Sequence, residues 1–101
     1  MDVTEIDVID NQEAGRFEAV LGDDRAEMIY RLDGTDLLIT HTEVPDAFEG
    51  KGVGSRLVRA ALGRAGREGL TIVPLCPFAR GWLAKHPDEV AAAGVEVVAV
   101  S

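Results

Sequence analysis

The sequence predicts an α+β fold: an antiparallel meander of four strands, then a helix, a parallel strand and a second helix. Three observations carry this. From Val3 to Val44, short runs alternate with period two and are separated by turn residues. After a glycine-rich loop, Leu57, Val58, Ala61, Leu62 and Ala65 recur at helical spacing. The short apolar run Thr71–Leu75 is followed by Pro77, a residue suited to the first position of a helix.

Each element follows from local chemistry. Val3–Asp10 alternates with Ile6, Val8 and Asp10 on one side, and Asn11–Gly15 turns the chain into a second strand, Arg16–Leu21. Gly22-Asp23-Asp24 turns again into Arg25–Leu32, where Ala26, Met28, Tyr30 and Leu32 share a face. Asp33-Gly34 is a hairpin signal leading into Asp36–Val44. The first helix ends at Gly69, a suitable C-cap. Gly63 and Gly66 within it each cost up to about 1 kcal/mol relative to alanine, which close packing on the sheet would explain. Thr71–Leu75 is expected to lie parallel to the fourth strand across the helical crossover. The second helix runs from Phe78 to Lys85, His86-Pro87 stops it, and Val95–Val100 is a candidate final strand.

The most informative stretch joins strand four to the first helix: Ile39–Pro45, then Glu49-Gly50-Lys51-Gly52-Val53-Gly54-Ser55-Arg56. A helix start carries N–H groups without intrahelical partners and partial positive charge. Alternating glycines let that backbone approach a ligand, and Lys51 and Arg56 add cations. The construction suits a phosphate or pyrophosphate. It is neither a dinucleotide fingerprint, since Ser55 stands where the third glycine would fall, nor a Walker loop, which needs Gly-Lys-Ser/Thr. Taken alone, the loop is equally well read as a plain strand-to-helix turn.

Composition narrows the function classes. With 101 residues and 47% hydrophobic content the chain is one globular domain. No apolar run reaches the roughly 20 residues of a membrane span, and the acidic start Met1–Glu5 is unlike a signal peptide. A single cysteine makes no internal disulfide, which points to a reducing cytoplasm. A net charge of −8 disfavours nucleic-acid binding; it would suit a cationic acceptor such as an amine, although on charge alone an acidic surface that keeps the chain in solution is the simpler reading. The basic residues Lys51, Arg56, Arg59, Arg64 and Arg67 cluster in the loop and first helix. His41, Glu43, Cys76 and His86 lack zinc-ligand spacing, so no metal is expected.

Asp10-Asn11, Arg16-Phe17-Glu18, His41-Thr42-Glu43-Val44-Pro45, Phe48–Ser55, Pro74-Leu75-Cys76-Pro77-Phe78 and His86-Pro87 stand in an order that resembles the short, stand-alone GNAT-type N-acetyltransferases. More closely, the chain is similar to the small YjdJ-like branch of predicted acetyltransferases. The resemblance spans about Asp10 to Pro87 and implies a GNAT-like (acyl-CoA N-acyltransferase) sheet that binds acetyl-CoA. It implies that Gly50, Lys51, Gly52, Val53, Gly54 and Ser55 hold the CoA pyrophosphate. The backbone of Thr42–Val44 would pair with the pantetheine arm like an added strand. Glu49 stands where that family has Gln or Arg, and is expected to point away from the ligand. The helices that usually follow the family's first strand are missing, which leaves the acceptor unidentified.

Acetyl transfer to an amine needs a base for the ammonium, stabilisation of the oxyanion, and a proton for the departing thiolate. His41 and Glu43 alternate on strand four and leave one face, so either can be the base. Cys76 sits where strand five meets the second helix, a place that favours a reactive thiol. It is a candidate acetyl acceptor or proton donor. A lone cysteine is more often an inert buried side chain; the resemblance, in which this cysteine faces the cofactor, tips the choice. Many GNAT enzymes use a tyrosine on the last helix as the acid, but the only tyrosine here is Tyr30, and the comparable helix carries Trp82. Trp82, Phe78 and Leu83 read as the packing face of that helix, and His86 as a helix-end residue favourable to the dipole. The leading function is an acetyl-CoA-dependent N-acetyltransferase. The alternatives are a non-catalytic acyl-CoA binding module and a small interaction domain with a vestigial loop. The oligomeric state stays open.

Overall fold

The computed structural model describes residues 6–48 and 50–99. The start of the expected first strand, the direction of Glu49 and the end of the expected final strand at Val100 lie outside the described residues. Among those residues, the chain forms strands β1 (Val8–Asn11), β2 (Arg16–Leu21), β3 (Asp24–Asp33) and β4 (Asp36–Glu43). Helix α1 (Val53–Glu68), strand β5 (Thr71–Pro74) and helices α2 (Pro77–Lys85) and α3 (Pro87–Ala93) follow. The strands lie in the order β1-β2-β3-β4-β5. The first four form an antiparallel meander, and β5 joins β4 in parallel after the α1 crossover. This is the expected α+β architecture.

Alternation along the strands sends Phe17, Ala19, Ala26, Met28, Leu37, Ile39 and Ile72 to one side, where all are buried. The α1 stripe Leu57, Val58, Ala61, Leu62 and Ala65 meets them and is likewise buried. Each large apolar side chain so covered contributes about 1.5–3 kcal/mol. Helices α2 and α3 pack beside α1, with Arg59 bonded to Glu89 and Trp82 to Ser55. The other side of the sheet carries the exposed Ile9 and Val20 and, in cross-strand register, Glu18, Glu27 and Glu43.

Several expectations are corrected. Leu32 takes the same side of β3 as Ala26, Met28 and Tyr30, opposite the buried Leu37, but is not covered there; it is 45% exposed at the hairpin end, in a hollow with Tyr30, Arg31 and Arg64. Gly66 serves α3 rather than the sheet, because a Cβ there would stand 2.8 Å from the Ala93 carbonyl oxygen. The final strand shrinks to a single parallel bridge, Ile72 to Val97, held by bonds from Ile72 N–H to Glu96 O and from Val98 N–H to Ile72 O. Helix α3 is unforeseen: Pro87 ends α2 but also opens a new helix with Asp88 and Glu89 in its first turn, as the helix dipole favours.

The five basic residues grouped in the sequence do not make one patch. Arg64 is 3% exposed; its Nη1 donates to Asp10 Oδ2 and Tyr30 Oη, and its Nε to Glu68. Arg59 makes a two-pronged pair with Glu89, and Arg56 Nη1 donates to the Ile6 carbonyl. Lys51 is the member left on the loop itself.

Candidate functional site

The loop between β4 and α1 is built around two glycines and a buried anchor. Pro45 ends the strand direction, and Asp46–Phe48 makes a single tight turn that buries the Phe48 ring to 1% exposure. Gly50 and Gly52 then take φ of +74° and +67°, a left-handed conformation that costs a residue with a Cβ roughly 1–2 kcal/mol. Gly52 is the N-cap of α1, and no side chain caps it. The first helical bond runs from Arg56 N–H to Gly52 O at 3.2 Å. Helix geometry therefore leaves the amides of Val53, Gly54 and Ser55 without intrahelical acceptors. They border a hollow of about 270 Å³ whose other walls include Val44, Phe48 and Phe78.

The strand leading to this loop is half-paired. The β3–β4 ladder continues to Glu27 opposite Glu43, but the β4–β5 ladder stops at Ile39 opposite Pro74. The amides of Leu75 and Cys76 both turn onto the Ile39 carbonyl, at 2.9 and 3.1 Å. Beyond that point β5 leaves the sheet and enters α2, so that among the described residues Thr40–Glu43 keep one edge without a neighbouring strand.

A bulge sets which side chains face this gap. Ile29 pairs with His41 and Tyr30 with Ile39, so Thr40 is the extra residue, and its hydroxyl donates to the Ile29 carbonyl. The phase of β4 slips by one. Leu37 and Ile39 point to the helices, and after the bulge it is Thr42, opposite the buried Met28, that does so. Thr42 Oγ1 lies 3.1 Å from Cys76 Sγ, with either atom able to donate. Cys76 is 4% exposed and is the N-cap of α2; its sulfur accepts from the Ala79 amide at 3.4 Å. His41 and Glu43 leave the opposite, open face, 3.9 Å apart and with side chains 59% and 68% exposed. The fold thus joins Thr42 to Cys76 and separates both from His41 and Glu43.

This order of elements has counterparts among known proteins. A family model described as GCN5-related N-acetyl-transferase matches residues 16–93. The chain belongs to that family. Protein NATD1 of Gallus gallus and that of Mus musculus are each 34% identical to it over 65 residues, covering 63% of this chain and 59% of theirs. The match therefore spans less than two thirds of those relatives' length. Among solved structures, a GCN5-like candidate N-acetyltransferase from Staphylococcus aureus superposes with a TM-score of 0.71 at 25% identity, over 97% of this chain and 93% of that one. The GNAT-like fold of this chain is established on these grounds.

Several sequence expectations change in detail. Ser55 lies at the helix start and borders the hollow, but its Oγ accepts from Trp82 Nε1 at 2.9 Å and is thereby engaged with α2. Trp82 and Leu83 are buried as expected; Phe78 is not buried with them, being 43% exposed with its ring against Gly54 in the first turn of α1. His86 closes α2, with Nδ1 2.8 Å from the Trp82 carbonyl and its ring stacked 3.8 Å from the indole. Tyr30 donates to Asp10 Oδ1 at 2.6 Å, and burial, reinforced by Asp10, pushes its phenol up to about 12. Sequence reasoning missed Phe48, Phe78 and the Thr42 hydroxyl as parts of the site. A glycine at 54, inside the helix where no left-handed turn needs one, was the available signal for Phe78. Among the described residues no helix is long and apolar enough to cross a membrane.

Proposed function

We propose that this chain is a single-domain, acetyl-CoA-dependent N-acetyltransferase of the small YjdJ-like branch, acting in the cytoplasm on an amine of a small molecule or a protein. The observation that carries the reading is the continuity of the half-paired β4 edge with the uncapped start of α1. The edge of Thr42–Val44 supplies main-chain partners for an extended amide-bearing tail. The amides of Val53, Gly54 and Ser55, with Gly50, Lys51 and Gly52 shaping the loop, supply donors for a diphosphate. A CoA thioester has both parts in that order. A single free thiol suits a reducing compartment.

In the reaction, an amine nitrogen attacks the thioester carbonyl carbon, the carbon–sulfur bond breaks, and the CoA thiolate takes a proton. His41 or Glu43 receives the ammonium proton from the open face of the sheet, where both are exposed. The gap past Ile39 and Pro74 gives that face access to the tail on β4. Cys76, with Thr42 and the Ala79 amide at its sulfur, lies on the helix side, where it either donates the thiolate's proton or accepts the acetyl group itself.

A second reading, an acyl-CoA binding module without turnover, is favoured by the separation of His41 and Glu43 from Cys76 across the sheet. Intact mass after incubation with acetyl-CoA, with and without a panel of amines, separates the two. Acetylated amine supports the enzyme, and a shift in unfolding temperature with no product supports the module. No stabilisation by CoA at millimolar concentration would sink both.

A further inference from the structure

The three loop glycines do different jobs. Gly50 and Gly52 need their left-handed backbone, and a Cβ on either would meet nothing within 4 Å. Gly54 is the reverse. It lies in the helical first turn, where alanine is the better residue by up to about 1 kcal/mol. A Cβ there would stand 2.6 Å from Phe78 Cζ, and 3.2 and 3.3 Å from the ring's two Cε atoms. The ring edge is thus laid directly on the helix backbone beside the first-turn amides.

Core burial does not account for that position. Phe78 is 43% exposed, although the N-cap Cys76 two residues before it and Ala79 just after it are buried. What it borders is the hollow, together with the half-exposed Val44 at the end of the strand edge and the buried Phe48. One wall of this hollow is polar main chain and the other is hydrocarbon. A diphosphate followed by a branched aliphatic segment, as in CoA, has matching chemistry.

We infer that Phe78 is a specificity residue that walls the aliphatic part of the thioester's tail, and that residue 54 is glycine to seat this ring rather than to admit the phosphates. The inference rests on the acyl-CoA reading. A larger residue at 54 would push the ring outward into the hollow, where it obstructs the tail.

The test is a double-substitution cycle read by calorimetric titration with CoA and with adenosine 3′,5′-bisphosphate, which lacks the tail. Phe78→Ala should weaken CoA about tenfold and leave the bisphosphate within about twofold. Phe78→Leu, which keeps hydrocarbon at the wall, should recover most of the loss. Gly54→Ala should weaken CoA by a similar factor, and Gly54→Ala/Phe78→Ala should be no weaker than Phe78→Ala alone. Additive losses in the double variant, or equal losses for the two ligands, would overturn the inference and leave the acyl-CoA reading standing. Failure of the unsubstituted protein to bind CoA would instead overturn that reading.

Discussion

The two ends of α1 are built on opposite principles. At the C-terminal end the polar groups are drawn into the fold: Gly69 returns its amide to the Ala65 carbonyl, and Arg64 is buried among Asp10, Tyr30 and Glu68. At the N-terminal end the cap is a glycine without a side chain, and the first-turn amides face a hollow. One end ties the helix to β1 and β3, and the other stays ready for an anion. The same helix therefore serves stability and ligand capture by dividing them along its length.

The largest effect expected from breaking this contrast is at Arg64. Arg64→Ala leaves Asp10 and the Tyr30 phenol without their cation inside the fold and should cost roughly 3 kcal/mol in urea denaturation. CoA affinity below the unfolding transition should be unchanged, since none of these groups borders the loop. A matching loss of affinity would erase the division of labour.

Gly52→Ala probes the other end. The left-handed cap makes it cost roughly 1–2 kcal/mol, less than Arg64→Ala, but CoA affinity should fall at least about tenfold. Retained affinity with lost stability would mean that the loop is only a turn.

Tyr30 sharpens the comparison through pH. Its phenol is held protonated up to about 12 against an ordinary value of 10.0, so the folded state keeps a proton that the unfolded chain loses. The associated stability is complete below pH 10 and declines as pH rises from 10 through 12. The chain has one tyrosine, so tyrosinate absorbance reads this group alone. Tyr30→Phe should flatten the alkaline decline, and an ordinary titration in the folded protein would contradict the buried network.

The smallest effect belongs to the exposed pair at the middle of the helix. The Arg59 guanidinium holds Glu89 below the usual carboxylate value of 4.5, so its contribution is present above that value and fades as pH falls through the folded one. Glu89→Gln should soften the acid limb of the stability curve only slightly, as solvent and salt screen the pair. A large shift in the acid midpoint would show that α3 depends on this contact.

Much of the fold was legible because it is locally encoded. Period-two runs from Val8 to Glu43, the helical stripe from Leu57 to Ala65, and Pro77 at the start of α2 all state their structure within a few residues. The loop Gly50–Ser55 was legible for the same reason. Helix α3 escaped because His86-Pro87 reads as a stop, and its seven residues, Pro87–Ala93, show no apolar stripe long enough to signal a helix. Leu32 misled because alternation says which side a residue takes, not whether anything covers it.

By itself the sequence determined the order of elements from β1 to α2, the glycine loop and its family resemblance, since these depend on backbone preference and pattern over short spans. Only the tertiary structure decided which side chains meet. The one-residue bulge at Thr40 turned Thr42 toward Cys76 and sent His41 and Glu43 to the far face, and Phe78 came to rest on Gly54 from 24 positions along the chain. Such contacts are set by register and by helix packing, to which residues distant in sequence contribute together, so no local pattern records them.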